Sequence, residues 1–422
     1  MTNITRTRDG RSFLGPFLLI SSLFFMWGFA HSILEVLNPH FKNLLNLNHA
    51  NAAWVQVATY GAYFLMAIPA GKIIRRYGYK RGVFTGLVLY GVGALLFLPI
   101  CLVGVGLPNP HMVYPFFIGA LFVIGCGLTC LETSANPYAT VLGDPKDAER
   151  RINFAQSFNG LGWICGPLVG GLIFFGGEAG STKPPLLSVA APYCGVGVFV
   201  LLAALIFRRI KLPEPQDTPE ENDATSTNAY AKAQDAPRSM WRNKIFVFGI
   251  VALFFYVAAQ TGVNSNFVAY MNENVGISRA EASLWLSFGG MGLFLLGRLV
   301  GSWIMGYIRP EKLLLLFAIG ATAGSIVVIS GTGKSSLAAF FLIYLCESIM
   351  FPTIFSLALR GAQGNTKQAS SYLIMTIVGG AIAPLIMGAI ADAHGIAIAF
   401  AIPLVCYIVI GWYASMLCKK QA

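Results

Sequence analysis

Long apolar runs alternate with short polar breaks along almost the whole of the 422-residue chain. A run of about 20 mostly apolar residues is long enough to cross a bilayer as a helix. Such runs fall at about 14–40, 52–74, 82–107, 114–142, 152–176, 186–209, 244–272, 280–308, 312–331, 336–361, 367–391 and 395–417. They predict an all-α membrane protein with twelve transmembrane helices. Most polar breaks are short loops. The exception runs from Lys211 to Lys244 and holds Pro213, Pro215, Pro219, Glu220, Glu221, Asp223, Ser226, Asp235 and Pro237, with few large apolar groups. That composition predicts a flexible linker. It divides the chain into a six-helix bundle over 1–210, a linker over 211–243 and a second six-helix bundle over 244–422.

Composition agrees with this pattern. Charged residues make up 11% of the chain, against about 25% in a soluble protein, and hydrophobic residues make up 56%. The net charge of +11 would suggest nucleic acid in a soluble protein. Here the basic residues cluster in alternate loops, as in Lys72, Arg75, Arg76, Lys80 and Arg81, or Lys146, Arg150 and Arg151. The Lys and Arg residues that break the pattern are Lys42, Lys183, Arg279 and Lys334 on the other side, and Arg298 within a span. This asymmetry predicts a multi-pass inner-membrane protein with both termini in the cytoplasm, in contact with lipid and not with nucleic acid. The first run follows Arg6, Arg8 and Arg11 and is too long for a signal-peptide core, so it reads as a first transmembrane helix.

Motifs for chemistry are missing from the sequence. The eight cysteines sit mostly in apolar runs, without metal spacing to histidine and without a disulfide framework. Gly331-Thr332-Gly333-Lys334-Ser335 imitates the end of a phosphate loop, but Val328 stands where its first glycine belongs. The sequence therefore predicts a carrier and not an enzyme, with no metal and no cofactor.

Three acidic residues lie well inside apolar runs: Glu35, Glu132 and Glu347. An ionised carboxylate in hydrocarbon costs about 2.5–3.5 kcal/mol on insertion scales. Glu132 and Glu35 are read as proton-coupling groups, since a buried carboxyl can hold a proton when dry and release it when water arrives. The proton is then the coupling ion. His31 shares a helical face with Glu35 at i, i+4 and either tunes it, contacts a ligand or bonds across helices. Asn153, Gln156 and Asn159 form an i, i+3 stripe, and Gln260, Asn264 and Asn266 form a similar set. Amides offer donors and acceptors together, which suits a polyhydroxylated ligand; the alternative is helix-to-helix bonding. Trp27, Tyr60 and Tyr63 are open to stacking on a sugar ring or to simple packing.

The halves resemble each other. Glu132-Thr-Ser-Ala-Asn-Pro137 matches Glu347-Ser-Ile-Met-Phe-Pro352, and Gly162-x3-Gly166-Pro167-Leu168 matches Gly379-x3-Ala383-Pro384-Leu385, at nearly the same offset. This suggests a duplicated six-helix unit. Glu347 is then a second proton site, a partner of Arg298, or a structural group; the structural or modulatory role is favoured.

Several segments carry a family resemblance. They are Leu23-Phe-Phe-Met-Trp27-Gly-Phe-Ala, Glu35-x3-Pro39-x-Phe41, Ile68-Pro69-Ala70-Gly71, Cys130-Leu-Glu-Thr-Ser-Ala-Asn-Pro137, Asn153-Phe-Ala-Gln156-Ser-Phe-Asn159, Ala259-Gln260-Thr261, Gly297-Arg298 and Phe351-Pro-Thr-Ile-Phe-Ser356. Together they resemble the fucose–galactose–glucose proton symporters of the major facilitator superfamily. The resemblance implies two pseudo-symmetric six-helix bundles, alternating access, proton coupling through Glu132 and the acid of the first span, and sugar contact through Gln156 and Asn159. Four departures stand out. Fucose permeases typically carry Asp where this chain has Glu35, and asparagines where it has His31 and Ser32. A tyrosine of the family is Phe351 here, which removes a hydroxyl. In the basic loop after the second span, Arg75 stands where an acid is usual, beside Arg76. The resemblance therefore leaves the sugar open.

The expectation is a monomeric proton symporter importing a neutral hexose-type sugar, L-fucose or a relative such as galactose or glucose. Its expected sugar contacts are Gln156, Asn159, His31, Gln260, Asn264 and Phe351, with gating or structural roles for Arg298, Glu347, Arg75 and Arg76. A sodium-coupled or facilitative carrier, a metabolite or drug exporter, and a non-transporting sugar sensor are the alternatives.

Overall fold

The computed structural model describes residues 5, 12–44, 49–107, 110–175, 187–210, 240–331, 333–362 and 365–420. Most of the expected linker, through residue 239, lies outside the described residues. So do the side chains of His31 and Glu35, although both belong to a helix. Among the described residues there is helix but no β-strand. Lipid offers no water to a polar backbone, so each apolar run bonds its own N–H and C=O groups within a helix.

Twelve long helical segments result among the described residues. We number them α1 Leu14–Leu44, α2 His49–Tyr77, α3 Tyr79–Val105, α4 Tyr114–Val141, α5 Ala148–Phe175, α6 Leu187–Arg209, α7 Lys244–Val275, α8 Glu281–Ile304, α9 Pro310–Ile329, α10 Lys334–Arg360, α11 Thr366–His394 and α12 Ile396–Lys419. Ten of them, all but α1 and α5, are long and apolar enough over their described residues to cross a membrane. Their exposed faces carry large apolar side chains such as Leu102, Phe116, Leu202, Leu316 and Trp412, the surface a lipid-facing helix presents. The protein is a multi-pass membrane protein.

Several helices depart from regular α geometry, each with a local cause or place. Pro69, Pro137 and Pro192 lie inside α2, α4 and α6. α10 breaks at Ser348 and Ile349, between Lys334–Glu347 and Met350–Arg360. Pro352 follows that break and has no N–H to offer the carbonyl four residues back, that of Ser348. α7 closes in a π turn over Met271–Val275, and α8 holds another over Trp285–Gly290.

The chain forms two compact units. The larger takes in Met1–Leu18, Asn136–Ser157 and Glu214–Ala422; the smaller takes in Leu19–Ala135 and Phe158–Pro213. The boundary does not fall only at the linker. It also cuts α4 just before Pro137 and α5 after Ser157, so the end of α4 and the start of α5 pack with the second half of the sequence. Within the larger unit α7 packs against α10, α11 and α12, and α9 against α10 and α12. Within the smaller unit α3 packs against α2 and α6.

Candidate functional site

In the smaller unit α4 is drawn close to α3 by glycines. A Cβ on Gly127 would lie 2.4 Å from the Tyr90 backbone nitrogen, and one on Gly86 would lie 2.8 Å from the Gly127 carbonyl. Only glycine fits such an approach. The hydroxyls of Thr129, Thr133 and Ser134 bond back to the carbonyls of Gly125, Thr129 and Cys130 on their own helix. Glu132 sits in this packed stretch at 8% exposure. Tyr63 of α2 donates its hydroxyl to Glu132 Oε1 at 2.5 Å, and no cation pairs with the carboxyl among the described residues. The arrangement is a buried acid with one neutral donor among the described residues.

A second close crossing joins α1 to α5. A Cβ on Gly28 would meet the Asn159 carbonyl at 2.3 Å, and one on Gly162 would meet the Phe25 carbonyl at 2.5 Å. Asn159 Nδ2 donates to the Phe24 carbonyl at 3.3 Å, and Ser32 Oγ donates to the Gly162 carbonyl at 3.2 Å. Asn159 thus ties two helices together while keeping 6% exposure. Trp27 is buried and packs on Phe24, with ring centroids 4.6 Å apart.

In the larger unit the amide stripe of α5 meets α4, α8 and α10. Gln156 Nε2 donates to Asn136 Oδ1 at 2.9 Å. Arg298 of α8 donates from Nη1 to the Gln156 carbonyl at 2.7 Å and to Gln156 Oε1 at 3.4 Å. Its Nε donates at 2.9 Å to the Ser348 carbonyl, the group that Pro352 leaves without a helical donor. Its guanidinium also lies 4.3 Å from the Phe294 ring centre. Asn153 donates to Thr353 Oγ1 at 3.1 Å. Asn136 Nδ2 and Asn153 Oδ1 have no hydrogen-bond partner among the described residues, so this polar cluster retains a free donor and a free acceptor.

The loop end of the same unit carries a charge network. Glu149, at the start of α5, accepts from Ser356 Oγ at 3.1 Å and pairs with Arg360, both on α10. Arg360 also reaches Glu311 of α9 at 3.5 Å. Arg150 pairs with Asp147 at 3.0 Å and donates to the Ser302 carbonyl at 3.3 Å, while Ser302 Oγ donates to the Arg150 carbonyl at 2.9 Å. Arg151 caps the end of α4, donating to the carbonyls of Ala139, Thr140 and Asp144.

The remaining expected residues are placed as follows. Glu347 is fully buried and accepts from Tyr407 of α12 at 2.6 Å; it does not pair with Arg298, whose bonds go to Gln156 and Ser348. Gln260 and Asn264 are half-buried on α7, and Asn264 Oδ1 has no partner among the described residues. Phe351 is buried, 6.0 Å from the ring of Tyr256 and 6.1 Å from that of Phe355. Arg75 and Arg76 are exposed at the end of α2, and Arg76 lies 5.3 Å from the Tyr77 ring centre. Sequence reasoning misses two features. Tyr63 stands there as a stacking or packing aromatic and not as the partner of Glu132, and the Glu149–Arg360–Glu311 network carries no mark.

Comparison with known proteins gives consistent results. The pattern of the Major Facilitator Superfamily matches residues 18–377. A glucose/galactose transporter of Brucella abortus (strain 2308) is 35% identical over 412 residues, covering 97% of this chain and 95% of that protein. The L-fucose-proton symporter of Escherichia coli (strain K12) is 34% identical over 424 residues, covering 96% of this chain and 94% of its own. A crystal structure of the E. coli fucose:proton symporter superposes with a TM-score of 0.83 at 33% identity, covering 96% of this chain and 99% of that one.

Proposed function

The chain belongs to the major facilitator superfamily, and from that premise we propose that it imports a neutral hexose-type sugar together with a proton by alternating access. It is a transporter and not an enzyme. The observation that carries the proton half of the reading is Glu132: a buried acid in an apolar helix, held by Tyr63 alone among the described residues. Carrying a proton, the group is neutral and the loaded carrier reorients. Releasing it to the cytoplasm leaves a carboxylate that Tyr63 steadies until the site is reset. One charge moved through about 100 mV supplies about 2.3 kcal/mol, enough for about 50-fold accumulation at about 1.4 kcal/mol per decade.

The sugar half rests on amide chemistry and on the activities of the relatives. Gln156, Asn159, Gln260, Asn264, His31 and Phe351 are assigned as sugar contacts, and Glu35 as a second acid of the coupling path. Arg75 and Arg76, like Arg298, are assigned to gating. We further assign the protein to the inner membrane as a monomer, with both termini cytoplasmic and no cofactor beyond the coupling proton. The loop end bearing the Glu149–Arg360 pair then faces the cytoplasm.

The test uses purified protein in liposomes loaded with a pH dye. Fucose, galactose, glucose, mannose and N-acetylglucosamine are first ranked by the thermal stabilisation they give. The best sugar, added outside, should then acidify the lumen without sodium. Sugar entry with no proton movement would indicate a facilitative carrier, and dependence on sodium a sodium-coupled one. Net efflux would indicate an exporter. Binding without counterflow would indicate a sensor.

A further inference from the structure

Glu347 and Arg298 are an acid and a base, both buried in the larger unit, and neither has a counter-ion among the described residues. Glu347 Oε1 accepts from Tyr407, and Oε2 has no partner among the described residues. Its titratable neighbours are tyrosines and cysteines, with Arg298 beyond Tyr256. Tyr407 and Cys406 come from α12, Tyr256 from α7, and Tyr344 and Cys346 from α10 itself. On α9, Gly320 lies against the Cys346 sulfur. A carboxylate with one neutral donor and no exposure costs several kcal/mol. In this conformation Glu347 is therefore an uncharged acid, with Tyr407 on Oε1 and its own proton on Oε2.

Arg298 is positioned next to it. Its Nε holds the carbonyl of Ser348, the residue after Glu347, and Tyr256, whose hydroxyl donates to the Glu347 carbonyl at 3.2 Å, adjoins the guanidinium. Its Nη1 donates only to Gln156 of α5 among the described residues. Alternating access, on the reading above, requires α5 to leave α8. Arg298 then loses both Gln156 bonds and keeps only the Ser348 carbonyl and Tyr256, and a buried guanidinium left short of acceptors favours a nearby anion. We infer that Glu347 is a second proton-exchanging group, which gives its proton to water when the loop end opens and pairs as a carboxylate with the Arg298 released by Gln156. The O–H bond of the acid breaks, the proton passes to entering water, and Arg298 stays protonated throughout. Closing the loop end reverses both steps.

Infrared spectroscopy of the full chain in lipid nanodiscs tests this without any sugar, so it is independent of whether the substrate assignment holds. The wild-type minus Glu347→Gln difference spectrum should contain a protonated-carboxyl band at neutral pH. Glu347→Asp should shift that band, which assigns it even if the Gln variant fails to fold. Arg360→Gln, which breaks the loop-end network, should weaken the band, and adding Arg298→Gln should restore it. No protonated band in the wild type, or a band equally strong in Arg360→Gln, would overturn the inference.

Discussion

Tyr63 is the one hydrogen-bond donor to Glu132 among the described residues, and it bridges α2 and α4. A hydrogen bond to a charged group contributes about 1.5–3 kcal/mol. Tyr63→Phe should therefore make proton release from Glu132 at least about tenfold harder, slowing uphill sugar accumulation by a similar factor while exchange at equal concentrations continues. Flux measurements in both modes separate these effects, and equal losses in both would place Tyr63 in packing alone. Glu132 was legible in the sequence because one charge in a long apolar run stands out against its cost in lipid. Its partner was not, since a tyrosine in such a run is ordinary. The bonds of Arg298 were hidden for another reason: its acceptors are largely backbone carbonyls, one of them exposed by Pro352.

Helix crossings set where these groups stand. α3 and α4 touch backbone to backbone at Gly86 and Gly127. Gly127→Ala should force the two helices apart at a cost of about 1–3 kcal/mol, the usual range for overpacking, and lower the melting temperature by several degrees. Unchanged melting would mean that the crossing is loose. Hydropathy was sufficient to find all twelve helices, because lipid enforces length and apolar composition together. It was blind to the π turns of α7 and α8 and to the break after Glu347, which depend on local backbone geometry. The break after Glu347 lies at the Ser348 carbonyl that Arg298 holds.

At the scale of the molecule, the compact units do not repeat the six-plus-six division read from the linker. The duplication is a property of sequence, whereas compactness reflects contacts in one conformation. Residues 136–157 pack with the second half through Gln156–Arg298, Asn153–Thr353 and Glu149–Arg360. Arg360 is 39% exposed, so its pairs hold less than fully buried ones. Arg360→Gln should weaken this closure by about 1–2 kcal/mol, roughly a 5–30-fold change in the open population. A cysteine at the buried Ala155 position should then react correspondingly faster with a water-soluble alkylating agent; an unchanged rate would remove the network from gating. The central claim is that Glu132 converts a proton gradient into sugar accumulation. It is tested most directly by sugar uptake into proteoliposomes under an imposed pH gradient, comparing wild type with Glu132→Gln. The account predicts that the variant loses accumulation above the outside concentration yet retains counterflow. Full accumulation by the variant would contradict it.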